Sequence, residues 1–182
     1  MSDKITIWTI GHSTRTLDAF LALLAQYQIQ SIADVRSFPG SRRYPHFGRV
    51  ALQGSLARQQ IEYHWLPALG GRRRPMPNSR NVVWRNINFR GYADYMQTPE
   101  FVAALDHLLD LARHSRTALM CAELVWWRCH RSMIADALRA RRVDVVHILD
   151  TKHTTLHPWT GPARIVDGHL TYAMAGSDLR MP

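Results

Sequence analysis

Five short apolar runs, separated by stretches whose apolar residues recur at helical spacing, constrain this chain more than anything else in it. Strands that alternate with helices are the mark of an α/β domain with a mostly parallel sheet. The runs are Ile5–Ile10, Ser31–Val35, Glu62–Leu66, Thr117–Cys121 and Val143–Leu149. Between the first two, Thr16 can cap a helix in which Leu17, Phe20, Leu21 and Leu24 form one apolar stripe. Val50–Gln60 reads as a short helix weakened by Gly54. Thr98-Pro99-Glu100 opens the clearest helix of all: a cap, a proline at the first helical position and an acid at the positive end of the dipole. Val102, Leu105, Leu108, Leu109 and Ala112 supply its buried stripe, and Ser132–Ala140 forms a further helix with Met133, Ile134, Ala137 and Leu138 inward. The fold class that follows is α/β in three layers, about five mainly parallel strands with helices on both faces.

At 182 residues the chain is the length of one domain, 1–182. Residues 65–95, with Gly70-Gly71, Pro75, Pro77 and many arginines, read as a long Arg-rich excursion, and loops of that length are usually functional. Residues 151–182 form a C-terminal tail with a hairpin expected around Asp167-Gly168. No apolar run approaches the roughly 18–20 residues of a spanning helix, and no signal-peptide core follows Met1. A cytoplasmic protein with no membrane association is expected, and Cys121 and Cys129 are expected as reduced thiols.

Charge narrows the partner. Lys and Arg number 23 against 14 Asp and Glu, a net charge of +9, and all but two of the bases (Lys4 and Lys152) are arginines. A planar guanidinium grips phosphate or carboxylate through two donors at once, so an anionic partner is expected, whether a phosphorylated small molecule or a nucleic acid. An arginine-favouring genome would give the same count.

In an open parallel sheet, ligands bind beyond the carboxyl ends of the strands. The residues there are Gly11, His12 and Ser13 after the first strand, Asp34 and Arg36 at the end of the second, and Cys121 to Arg131 after the fourth. The crevice is therefore expected between strands one and four. The last of these segments joins a strand to a helix start, where unpaired N–H groups and the dipole favour an anion, with Arg128, His130 and Arg131 as further donors. The same position would draw down a cysteine pKa. Asp34 and Arg36 share a strand face at i, i+2, either as a structural ion pair or as a proton acceptor beside an anion grip. His12 is a candidate acid–base group with a pKa near neutrality, and Glu123 a second carboxylate. Arg42, in the basic and aromatic segment Ser41–Phe47, suits phosphate contact with base stacking. His157 could return to the crevice if the tail folds back.

A phosphatase-type loop needs five residues between its Cys and Arg; Cys121 and Arg128 have six between them, which argues against that mechanism. Cys121, Cys129 and His130 lack a CxxC pair, so neither a metal nor any other cofactor is expected. Three readings follow. The first is an enzyme, most simply a hydrolase, acting on a phosphate-bearing nucleotide or nucleic acid. In it Arg36, Arg42, Arg128, His130 and Arg131 bind the anion, His12, Asp34 and Glu123 move protons, and Gly11, Ser13, Cys121 and Cys129 shape the pocket. The second is a non-catalytic nucleic-acid or nucleotide binding module using the excursion. The third is thiol or metal chemistry on the cysteines.

Thr9-Ile10-Gly11-His12-Ser13, Asp34-Val35-Arg36 with Pro39 and Ser41-Arg42, Leu69-Gly70-Gly71, and Cys121-Ala122-Glu123 through Cys129-His130-Arg131 together resemble the family called domain of unknown function 488. The likeness runs from about residue 5 to about 165. It implies a small bacterial or archaeal cytosolic α/β domain with a motif cluster at the strand ends, and no particular reaction.

Overall fold

The computed structural model describes residues 5–40 and 42–174. The five expected strands are present as β1 (Thr6–Gly11), β2 (Ser31–Asp34), β3 (Glu62–Trp65), β4 (Thr117–Cys121) and β5 (Asp144–Ile148). A sixth, β6 (Thr154–Leu156), joins them in a sheet of order β3-β2-β4-β1-β5-β6. The first five are parallel and β6 runs antiparallel to β5. A separate hairpin, β7 (Arg164–Val166) and β8 (His169–Thr171), turns at Asp167-Gly168, where Gly168 takes a φ of 79°.

Helices cover both faces, and the period-two alternation of β4 decides which residue meets which layer. Ala118 and Met120 pack with Phe20 and Leu24 of α1 (Leu17–Gln26) and Leu52 and Leu56 of α2 (Arg49–Arg58). Leu119 and Cys121 face the opposite layer, where α3 (Ile87–Tyr95), α4 (Pro99–His114) and α5 (Arg131–Ala140) contribute Tyr92, Phe101, Leu105, Met133 and Leu138. The result is a three-layer α/β fold.

Local chemistry explains the helix starts. The Thr16 side chain accepts a hydrogen bond from Ala19 N–H at 3.2 Å, and that of Thr98 accepts from Phe101 N–H at 3.3 Å with Pro99 at the first helical position. On α4 the buried stripe is Phe101, Leu105, Leu108 and Leu109; Ala112 packs at its margin, whereas Val102 is exposed, one position off the face.

Two expectations need correction. The excursion ends at Asn86, whose side chain caps α3 by accepting from Asn88 N–H at 2.9 Å, so residues 87–95 are helical rather than loop. Its apolar residues are interrupted by Asn88, Arg90 and Gly91, which hides the helical period. The second concerns α5, where every residue from Arg131 to Leu138 is buried. Its outer side lies under the returning tail, whose Tyr172 hydroxyl donates to Asp136 at 2.8 Å. A one-sided stripe could not reveal that cover.

Candidate functional site

β1 and β4 lie side by side in parallel, with Gly11 opposite Cys121. From β1 the chain proceeds to β2 and β3 on one side of the pair, and from β4 to β5 on the other. Such a switch in direction sends the two connections to opposite faces of the sheet, α1 in one layer and α5 in the other, and leaves a crevice beyond the strand ends. That crevice is a cleft of about 560 Å³.

Gly11 is obligatory at its base. A β-carbon there would stand 1.8 Å from the Glu123 carbonyl oxygen, because the loop after β4 is laced directly onto the end of β1. His12 N–H donates to the Cys121 carbonyl at 3.0 Å and Ser13 N–H to that of Ala122 at 2.9 Å. Ser13, with φ 47°, is held in the left-handed region at the cleft wall, a strain that clusters at functional sites.

Of the twelve residues expected at the site, eight line the cleft: His12, Ser13, Arg36, Cys121, Glu123, Arg128, Cys129 and His130. Gly11 sits beneath them, and Asp34, Arg131 and Arg42 are elsewhere. Asp34 is fully buried. Its carboxylate accepts from Arg36 Nε at 2.8 Å, Arg36 Nη2 at 2.5 Å, the Tyr63 hydroxyl at 2.6 Å and Arg36 N–H at 3.1 Å. With its lone pairs committed this way, Asp34 holds Arg36 at the cleft wall instead of facing a ligand. Arg131, 1% exposed, donates from Nη2 to the Glu123 carbonyl at 2.5 Å and from Nε to the Cys129 sulfur at 3.4 Å, so it braces the loop from below. Arg42 is exposed outside the cleft, while its neighbour Arg43 lines it. Arg43, Tyr44, Gly71 and Arg72 also line the cleft, although the sequence marked them only as parts of a basic–aromatic run, a glycine pair and the excursion and not as site residues.

His12 departs from expectation in its proton chemistry. Arg36 Nη1 lies 3.2 Å from its Nε2, and a guanidinium can only donate, so Nε2 is the acceptor and Nδ1–H donates to the Ser13 carbonyl at 3.0 Å. The ring stacks on Phe47 at 4.2 Å. Burial, with Arg36 beside it, pushes its pKa down to about 4, not the near-neutral value expected. His157 also belongs elsewhere, in a buried chain with His147 and Asp136.

The floor of the cleft carries the two free thiols. Burial opposes ionisation of Cys129, but the Cys121 thiol, His130 and the Arg131 guanidinium hold it well below the ordinary thiol range. Cys121 is pushed well above that range by its hydrogen bond to Cys129 and by burial. His130 Nδ1 lies 3.6 Å from the Cys129 sulfur. Its Nε2 is buried without a hydrogen-bond partner, and a β-carbon on Gly71 would come within 2.5 Å of the ring.

Among the described residues no helix is long and apolar enough to cross a membrane. Comparison with curated proteins and with solved structures gives no match. A family model does match, over a span that takes in Asp34, Arg36, Cys121, Glu123, Cys129, His130 and Arg131 but begins after Gly11, His12 and Ser13. With residues 16–138, more than half of its length, matching the domain of unknown function DUF488, the chain belongs to that family.

Proposed function

We propose that the cleft at the carboxyl ends of β1 and β4 binds a phosphate-bearing small molecule. The observation that carries this reading is the charge of the lining: Arg36 and Arg43 from the loop after β2, Arg72 from the excursion and Arg128 from the loop after β4 line one space whose single carboxylate is Glu123. Arg36 is matched by Asp34, which leaves three guanidiniums and one carboxylate, a clear excess for an anion. The volume suits a ligand of nucleotide size, and Phe38, 72% exposed at the rim, offers a face for an aromatic ring.

Hydrolysis of such a ligand would need a cleft group free to move a proton. Asp34 and His12 are already committed, so that role falls to Glu123, exposed in the cleft. The excursion as a nucleic-acid surface is the weaker reading. Arg73 stacks over Tyr95 at 3.5 Å and Arg90 donates to the Trp84 carbonyl at 3.2 Å, so two of its arginines serve the fold.

Calorimetric titration with inorganic pyrophosphate and with a nucleoside diphosphate tests the reading. Saturable binding is expected, weakened about tenfold or more by Arg72→Ala and by Arg128→Ala, since a charge-assisted hydrogen bond contributes about 1.5–3 kcal/mol. Arg80→Ala, outside the cleft, should leave it unchanged. Equal affinity in all three variants would overturn the assignment.

A further inference from the structure

We infer that Cys121, Cys129 and His130 form a three-ligand site for a borderline-soft divalent cation of the zinc class, with its fourth coordination position open to the cleft. Sequence spacing argued against a metal because no CxxC pair exists. The tertiary structure supplies the convergence instead. Cys121 ends β4, and the loop that follows returns through a turn closed by Cys129 N–H donating to the Trp126 carbonyl at 3.1 Å. That return sets Cys129 and His130 against Cys121, and the two sulfurs and an imidazole nitrogen lie within 4.8 Å of one another.

The distances suit the chemistry. For tetrahedral zinc, with sulfur at about 2.3 Å and imidazole nitrogen at about 2.0–2.1 Å, the sulfur–nitrogen edge is about 3.5 Å and the sulfur–sulfur edge about 3.8 Å. The Cys129 sulfur and His130 Nδ1 are 3.6 Å apart, already at that edge. Two thiolates and one imidazole make a donor set that selects zinc-like cations over magnesium or calcium, which take oxygen ligands. Three protein ligands plus an open position is the form of a catalytic zinc site; structural sites are closed by four.

Three surrounding features favour occupancy. All three ligands line the cleft, so the cation has an entry path and the fourth position faces solvent. Arg131 Nε donates to the Cys129 sulfur at 3.4 Å and is itself anchored on the Glu123 carbonyl, the outer-shell support typical of ligating thiolates. His130 also makes no hydrogen bond to a protein group other than the Cys129 sulfur, its Nε2 being buried without a partner. The inference goes beyond the anion reading and does not depend on it.

The test is titration of chelator-stripped full-length protein with Co²⁺, followed by optical absorption. Expected are one Co²⁺ per chain, visible bands of a tetrahedral ion, a sulfur-to-cobalt charge-transfer band, and displacement by Zn²⁺. Cys129→Ser should remove most of the charge-transfer band and weaken binding at least a hundredfold. His130→Gln, which spares both thiols, should weaken binding more than tenfold while keeping the band. Titration without a charge-transfer band in the unaltered protein overturns the site, whatever the variants do. So does binding that His130→Gln leaves untouched. Pyrophosphate titration of the stripped protein reports the anion site separately, so either reading can fail alone.

Discussion

At the scale of single residues, Asp34 shows how a side chain that looks catalytic in sequence becomes a positioning group in the fold. Its carboxylate is buried against Arg36, and Tyr63 adds a second partner whose own pKa is raised beyond the range of ordinary phenols by burial and by that carboxylate. Removing one member of a buried ion pair strands the other, which typically costs about 3–5 kcal/mol. Asp34→Asn is therefore expected to lower unfolding free energy by about that amount in urea titration. It should also weaken anion binding, because Arg36 loses its orientation. A loss below about 1 kcal/mol would show that the pair is dispensable. The i, i+2 spacing of Asp34 and Arg36 was readable as a shared strand face. Burial of that face under Phe47 and α2 was not, because it depends on a segment more than ten residues away.

Among the elements, α4 is the one most fully encoded locally. Cap, proline and acid stand in sequence at its start, and Thr98 also donates from its hydroxyl to the Tyr95 carbonyl at 2.7 Å, tying α4 to the end of α3. Thr98→Ala is expected to cost about 1 kcal/mol, seen as a lower urea midpoint with an unchanged m-value. An unshifted midpoint would mean that packing of Phe101, Leu105, Leu108 and Leu109 alone sets the helix start. α5 is the contrasting case. Its sequence reads as amphipathic, yet Asp136 on its outer side is fully buried, accepting from the Thr160 and Tyr172 hydroxyls at 2.5 and 2.8 Å.

At the scale of the whole molecule, a buried polar chain links the sheet to the tail. Thr9 Oγ1 on β1 lies 2.6 Å from His147 Nδ1 on β5. His147 Nε2 lies 2.9 Å from His157 Nδ1, and His157 Nε2 lies 3.0 Å from Asp136. Trp126, from the loop that forms the cleft, stacks on His147 at 4.2 Å. Burial first, then His157 and Arg131, push the His147 pKa down to about 2. Below about pH 6.5 the unfolded chain takes up a proton at this position that the folded chain refuses. The contribution is thus fully present above about pH 6.5 and falls as pH drops toward 2, at up to about 1.4 kcal/mol per pH unit. Unfolding free energies measured between pH 7.5 and 4.5 should fall more steeply for the unaltered protein than for His147→Asn. Identical slopes would remove His147 from the pH response.

What the sequence alone determined is what short-range physics controls: five parallel strands marked by apolar runs, helix starts marked by caps, the turn at Asp167-Gly168, and a cluster of polar residues at strand ends. Each depends on neighbours within one or two turns of chain. The tertiary structure alone decided which of those residues remain open to a ligand. Asp34 and Arg131 are committed to buried partners, His12 has its lone pair occupied by Arg36, and Arg43 and Arg72 enter the cleft from segments far apart in the chain. It also set Cys121 against Cys129 and His130. Burial and convergence are properties of packing between distant segments, and a guanidinium or carboxylate reads the same in sequence whether water or a buried partner surrounds it.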